Sequence, residues 1–111
     1  MKKAVILLNL LFFSLFCNAQ QNEFAIAENY FRNNEYEKAI QRYKKLYDKS
    51  PYNTTYLKRL VSCYQETEQF LVAENLLSQK INEKPNLTYL QVIKGYNFER
   101  QQKNEEANKL Y

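Results

Sequence analysis

Apolar side chains recur along this chain at the spacing of one helix face, in short segments separated by polar breaks. In the segment from Tyr36 to Lys49, successive apolar residues are one or three positions apart, and the charged residues lie between them. Such spacing is typical of a helix that buries one side. The pattern predicts five helices and the start of a sixth, at residues 20–33, 36–49, 54–67, 70–83, 88–101 and 104–111.

Residues that disfavour helices separate these segments. Pro51 and Pro85 each follow a predicted helix, and proline pushes the residue before it out of the helical region. Asn33 ends the first segment and Asn34 follows it, and either side chain is expected to accept hydrogen bonds as the N-cap of the next helix. With one Gly and two Pro, the chain has little turn chemistry for an all-β fold. An all-α fold is therefore predicted.

The segments repeat with a fixed period. Ala39 is followed by Ala73 and then by Ala107, each 34 residues after the one before (73 − 39 and 107 − 73). We call this spacing the repeat period. A period of about 34 residues, with small and aromatic residues in constant phase, is typical of an array of helical hairpins. The same step relates three further sets of residues: Pro51 and Pro85; Tyr30, Tyr64 and Phe98; and Ala27, Val61 and Gly95.

These residues resemble the tetratricopeptide repeat (TPR), a helix-turn-helix unit of about 34 residues. Counted from Gln20, the repeats span 20–53 and 54–87, with an incomplete third repeat at 88–111. The resemblance implies a right-handed solenoid of antiparallel helix hairpins, about two and a half repeats long. Lys80 departs from the pattern, since a small residue is usual there, and Lys94 stands where a large apolar one is usual. A generic helical bundle is the alternative.

The first nineteen residues form a different kind of sequence. Residues 1–3 are a short basic region, 4–17 form an apolar run, and small residues precede Gln20. This order predicts a signal peptide at 1–19, cut before Gln20. The apolar run is shorter than the roughly 20 residues that a spanning helix needs. We therefore expect an exported protein of a bacterial envelope, periplasmic or extracellular, with no membrane span after cleavage. An uncleaved anchor and a lipoprotein acylated at Cys17 are the alternatives.

Export changes the charge and the cysteine count. Removing Lys2 and Lys3 leaves 14 basic against 12 acidic residues, so the formal net charge falls from +4 to +2. So small a charge gives no support for nucleic-acid binding. Cys63 is then the only cysteine that remains, next to Tyr64 on the apolar side of its segment. We expect it to be a small buried apolar residue.

No constellation of catalytic residues is found. The chain contains no His, and it has neither a Gly-rich loop nor paired cysteines after residue 19. We therefore predict no enzymatic activity, no catalytic residue, no metal site and no cofactor. The ten Tyr and seven Phe are expected to fill gaps between helices, with aromatic platforms for bases or sugars as the alternative.

The resemblance implies a binding function. TPR-like arrays bind proteins or peptides in the groove lined by the first helix of each pair. The groove residues it implies here are Phe24, Glu28, Phe31, Arg32, Lys58, Gln65, Tyr96 and Arg100.

A protein-binding scaffold is thus the expected function. The alternatives are a purely structural first segment of a longer solenoid and an accessory domain of an envelope enzyme. Because the third repeat is incomplete, we also expect the chain to be the first part of a longer array. Self-association through its C-terminal end is a further expectation.

Overall fold

The computed structural model describes Lys3, Val5, Ile6, Leu8 and residues 22–110, and the first four of these are helical. Residues 22–32 form helix α1. It is followed by α2 (Tyr36–Lys49), α3 (Thr54–Glu66), α4 (Phe70–Glu83) and α5 (Thr88–Leu110). The described part of the chain contains no strand, which confirms the all-α prediction. The predicted cut before Gln20 lies outside the described residues.

Neighbouring helices pack against each other in chain order. Helix α2 packs on α3, α3 on α4, and α4 on α5. Their apolar stripes meet in one core, which includes Tyr43, Leu60 and Leu77. Cys63 is completely buried in that core, as predicted. No described helix is both long enough and apolar enough to cross a membrane.

The repeat period is present in the backbone as well as in the sequence. Helices α2 and α4 both have 14 residues and begin one period apart (70 − 36), as do α3 and α5 (88 − 54). The C-caps of α2 and α4 have nearly the same dihedrals, φ −135° and ψ 69° at Ser50 and φ −138° and ψ 73° at Lys84. The fold is therefore repeat-like in its local geometry.

A left-handed residue closes the turn within each helix pair. Asn34 between α1 and α2 and Glu68 between α3 and α4 both have φ 61°. In both turns the N–H of the next residue donates to the carbonyl five residues back, at 2.9 Å in the first and 2.7 Å in the second. This bond satisfies a carbonyl that the end of the helix leaves free. Asn adopts a positive φ readily, whereas Glu does so only where packing imposes it.

The predicted N-cap of α2 is wrong. The cap is Glu35, and its side chain makes no capping bond, because Asn34 is already used as the left-handed residue of the turn. Helix α3 has a side-chain cap instead. Asn53 accepts from the N–H groups of Thr55 at 3.0 Å and Tyr56 at 3.3 Å, and so satisfies two free donors of the first turn.

The predicted break between a fifth and a sixth helix does not occur. Helix α5 continues from Thr88 to Leu110, whereas helices were expected at 88–101 and 104–111. Gln102 stands one repeat period after Glu68 (102 − 68), where a turn needs a left-handed residue. A residue without Gly-like freedom adopts that conformation only if the following helix gains enough contact by folding back. Residues 104–110 are strongly polar, so the helix continues with its own backbone hydrogen bonds.

Candidate functional site

The predicted groove residue Glu28 joins three helices. Its half-buried carboxylate on α1 accepts hydrogen bonds from Arg59 on α3, at 2.8 Å from Nε and 3.3 Å from Nη2. It also accepts from the hydroxyl of Tyr43 on α2. The Arg59 guanidinium in turn lies 4.7 Å from the centre of the Phe31 ring, within the range of a cation–π contact. This cluster holds α1 against its two neighbours.

Electrostatics keep this cluster in one ionisation state. Burial alone would raise the pKa of Glu28, but the hydrogen bonds from Arg59 and Tyr43, with the positive charge of Arg59, lower it below its ordinary value. Burial, and then the bond to Glu28, raise the pKa of Tyr43. At neutral pH the carboxylate is thus charged and the phenol is neutral. The Tyr43 hydroxyl therefore donates to a charged acceptor, and the Glu28 carboxylate has hydrogen-bond donors on two other helices.

Phe24 and Phe31, also predicted for the groove, pack between helices. The ring centre of Phe24 lies 5.6 Å from that of Tyr56 and 6.4 Å from that of Tyr43. Phe31 meets Tyr36 edge to face at 5.7 Å and Tyr43 at 6.4 Å. Both phenylalanines are half-buried, so only part of each ring is accessible to a partner. This arrangement agrees with the expectation that the aromatic residues fill gaps between helices.

A buried polar network joins α3, α4 and α5. Gln65, only 6% exposed, donates from Nε2 to Oδ1 of Asn97 at 3.2 Å. Asn97 donates from Nδ2 to the carbonyl of Phe70 at 3.1 Å. Arg100 donates to Oε1 of Gln65 and to Oε1 of Glu66, both at 3.3 Å. The predicted groove residues Gln65 and Arg100 therefore also fix the position of α5 on α3.

The three remaining predicted residues are at least partly accessible. Arg32 bonds the carbonyl of Glu28 at 3.4 Å, and the ammonium of Lys58 lies 5.5 Å from the centre of the Tyr89 ring. Tyr96 is 59% exposed, and Val92, one turn before it, is 70% exposed. The exposed apolar surface of the predicted groove is thus on α5, while Lys58 on α3 reaches α5 through Tyr89.

Sequence reasoning missed Asn97 and Arg59 as contact residues. For Asn97 a signal exists, because it follows Leu90 and Ile93 at steps of three and four residues on the buried side of α5. A polar residue in such a stripe indicates a buried hydrogen-bond partner. For Arg59 the sequence offers no comparable signal, because its partner Glu28 is 31 residues away (59 − 28) on another helix.

Lys80, where the repeat pattern favours a small residue, has a structural role. It is only 6% exposed, and its ammonium donates to the carbonyl of Pro51 at 2.6 Å. The same ammonium lies 5.6 Å from the ring centre of Tyr47 and 5.4 Å from that of Tyr52. Lys80 therefore ties α4 to the end of α2 and to the turn that follows it.

Two observations concern reactive groups among the described residues. Among them no cluster of three or more His, Cys, Asp and Glu side chains could hold a metal ion. Burial raises the pKa of the Cys63 thiol to about 12, so the thiolate needed for nucleophilic attack is scarce at neutral pH. No protein-family model, curated protein or solved structure is significantly similar to the chain. Function is therefore inferred from the contacts above.

Proposed function

We propose that residues 20–111 form a TPR-like, right-handed solenoid that binds a protein or peptide segment along α1, α3 and α5. The main support for this proposal is that α3 contacts both α1 and α5. Helix α1 meets α3 through Glu28 and Arg59, and α3 meets α5 through Gln65 and Asn97. The first helices of successive pairs thus lie side by side. They form one continuous surface, while Lys80 brings α4 to the end of α2.

The exposed residues of that surface favour a partner segment with an apolar side chain and an acidic group. Val92 and Tyr96 are one turn apart on α5 and largely exposed. Lys58 is exposed on the neighbouring helix and supplies a positive charge beside Tyr89. Aromatic residues are frequent energetic anchors of interfaces. Arg100 already forms an ion pair with Glu66, so we expect it to attract an acidic group of the partner less strongly than Lys58 does.

Selection from a random peptide library displayed on phage tests the binding function. For a selected peptide, Tyr96→Ala should weaken binding about tenfold, which is about 1.4 kcal/mol. Lys58→Ala should weaken the binding of peptides that carry an acidic residue and leave the binding of neutral peptides unchanged. Tyr52→Ala is the matched control, because Tyr52 is 76% exposed but lies in a turn between α2 and α3. Failure to select any peptide, or equal losses for Tyr96→Ala and Tyr52→Ala, would favour a purely structural segment.

Export is part of the same proposal. The basic, apolar and small-residue order of residues 1–19 supports cleavage before Gln20. The intact mass of the protein recovered from the envelope or the medium tests this. A mass lacking residues 1–19 is expected. A mass that retains them, or one that shows an acylated Cys17, would contradict the cut.

A further inference from the structure

Four basic residues form a row along one exposed side of α2. Lys38, Arg42, Lys45 and Lys49 follow one another at steps of four, three and four residues, which places them within about 60° of one another around the helix axis. Lys38, Lys45 and Lys49 are exposed, and Arg42 is half-buried. We call these four residues the basic row.

The neighbouring exposed side of α2 has no excess of positive charge. It carries Glu37, Lys44 and Asp48, which are all exposed. Lys44 lies about 100° around the axis from Lys45, although the two residues are adjacent in the chain. The positive charge of α2 is therefore concentrated on the side that the basic row occupies.

The basic row borders α1. Arg42 donates to both carboxylate oxygens of Glu23 at 3.1 Å, and the ammonium of Lys38 lies 5.6 Å from the centre of the Tyr30 ring. Beyond these contacts the adjoining side of α1 is uncharged, and its exposed residues are Asn22, Ile26 and Asn29. We call the basic row and these three residues together the α1–α2 face.

Half of the basic row has no carboxylate partner within the face. The first two residues of the row pair with Glu35 and Glu23, both at 3.1 Å. The ion pairs in the described part of the chain do not include the other two, Lys45 and Lys49. The positive charge that remains for a partner thus lies in the second half of α2.

The start of α1 lies alongside that half of α2. Phe31, near the end of α1, meets Tyr36 at the start of α2, whereas Glu23, near the start of α1, meets Arg42. The two helices are therefore antiparallel, and the chain enters α1 beside the last two residues of the basic row.

Few residues separate this point from the apolar run at 4–17. Residues 18–21 lie between Cys17 and Asn22, and five Cα–Cα steps (22 − 17) extend over at most about 18 Å. A signal peptide before cleavage, an uncleaved anchor and a lipoprotein acylated at Cys17 would each place a membrane within that distance of Asn22. In all three cases the positive end of the α1–α2 face is close to a lipid surface.

We propose that the α1–α2 face docks on a lipid surface that carries anionic headgroups. Each basic residue close to such a surface strengthens binding about fivefold. At about 0.1 M salt, screening confines this effect to roughly 10 Å, so Lys44, on another side of α2, contributes less than Lys45. An acidic protein or a nucleic acid would also attract the lysines, but their position beside the apolar run favours a membrane. The inference rests on the proposed export, which brings the chain to a membrane, and it is independent of the proposed peptide groove.

Sedimentation with lipid vesicles tests this docking. The full-length chain is mixed with vesicles of phosphatidylcholine alone and with vesicles that contain about one-third phosphatidylglycerol. The ratio of the two partition coefficients cancels the contribution of the apolar run, so the outcome does not depend on whether residues 1–19 have been removed. We expect the unchanged chain to bind the anionic vesicles about tenfold more tightly. Equal binding to both membranes would overturn the proposal, whereas failure of export is detected separately, by the intact mass.

Two adjacent substitutions show whether the α1–α2 face or the overall charge is responsible. Lys45→Glu and Lys44→Glu change the net charge equally, and both residues are exposed, so neither substitution enters the core. Lys45→Glu should lower the ratio about fivefold or more, and Lys44→Glu should lower it less than about twofold. Equal losses would overturn the proposal. So would tighter binding to a DNA duplex than to anionic vesicles at the same phosphate concentration, because the partner would then be a soluble polyanion.

Tryptophan fluorescence locates the contact. The chain contains no Trp, so Ile26→Trp reports on the α1–α2 face and Tyr96→Trp, the matched control, reports on α5. The two positions are 39% and 59% exposed. The emission of Ile26→Trp should shift further to the blue on anionic than on neutral vesicles, whereas that of Tyr96→Trp should be the same on both. Equal shifts for the two variants, or a larger one for Tyr96→Trp, would contradict docking through this face.

Discussion

Replacing Glu28 by Gln should destabilise the protein more than any other single loss of charge on α1. Gln keeps the shape of the side chain but removes the charge that Arg59 and Tyr43 both contact. Hydrogen bonds to charged groups contribute about 1.5–3 kcal/mol, and breaking a fully buried ion pair costs about 3–5 kcal/mol. Here the side chain of Glu28 is 19% exposed and that of Arg59 38%. Water therefore compensates in part, and we expect a loss of about 1–2 kcal/mol.

Glu23→Gln is the matched control on the same helix. Glu23 accepts from Arg42 with both oxygens at 3.1 Å, but the two side chains are 38% and 35% exposed. Exposed pairs contribute about 0–1 kcal/mol. Urea denaturation followed by circular dichroism compares the two variants with the unchanged chain. The difference between the two losses of stability measures the effect of burial and of the hydrogen bond from Tyr43, because both variants replace Glu by Gln on the same helix.

The effect of Glu28→Gln should also depend on pH. The pKa of Glu28 is lower in the folded protein than its ordinary value of 4.5, so the unfolded chain binds a proton more readily. The charged carboxylate therefore contributes its full stabilisation above pH 4.5, and this contribution is lost as the pH falls below that value towards the folded pKa. The gap between the unchanged chain and Glu28→Gln should thus narrow in acid. A gap that is constant with pH, or no larger than that of Glu23→Gln, would refute the reasoning.

Three further predictions follow from the core. Ala73→Leu should lower the free energy of unfolding by about 1–3 kcal/mol, because Ala73 is fully buried, while the exposed control Lys44→Leu should change it by no more than about 0.5 kcal/mol. Similar urea midpoints for the two variants would show that the core position is misassigned. The thiol of Cys63 should react with an alkylating reagent only as fast as the protein unfolds, as followed by peptide mass spectrometry, and rapid labelling of the native protein would contradict its burial. Asn97→Leu should cost about 1–3 kcal/mol by leaving Gln65 without its partner, whereas the double change of both residues to Leu should cost less; a larger cost for the double variant, in the same denaturation assay, would argue against the network.

The amino-acid sequence by itself determined where most helices begin and end. Helices α2 and α4 have the predicted limits, Tyr36–Lys49 and Phe70–Glu83, and α3 ends at Glu66, one residue before its predicted end. The burial of Cys63 was also predictable. The physical reason is that these features are local. The spacing of apolar side chains defines which side of a helix is buried, and proline or a short polar break ends it within a few residues.

Only the tertiary structure decided what the polar and aromatic residues of the predicted groove contact. Phe24, Glu28 and Gln65 stand at positions that the resemblance assigns to the groove, yet each contacts a neighbouring helix. Their partners are distant in the chain and lie on other helices, so no local pattern specifies them. The continuity of α5 has the same origin. Glu68 adopts a positive φ, and α4 then turns back and packs on α3. At the corresponding point after α5 the backbone stays helical to Leu110, because residues 104–110 are mostly polar and the helix satisfies its own hydrogen bonds.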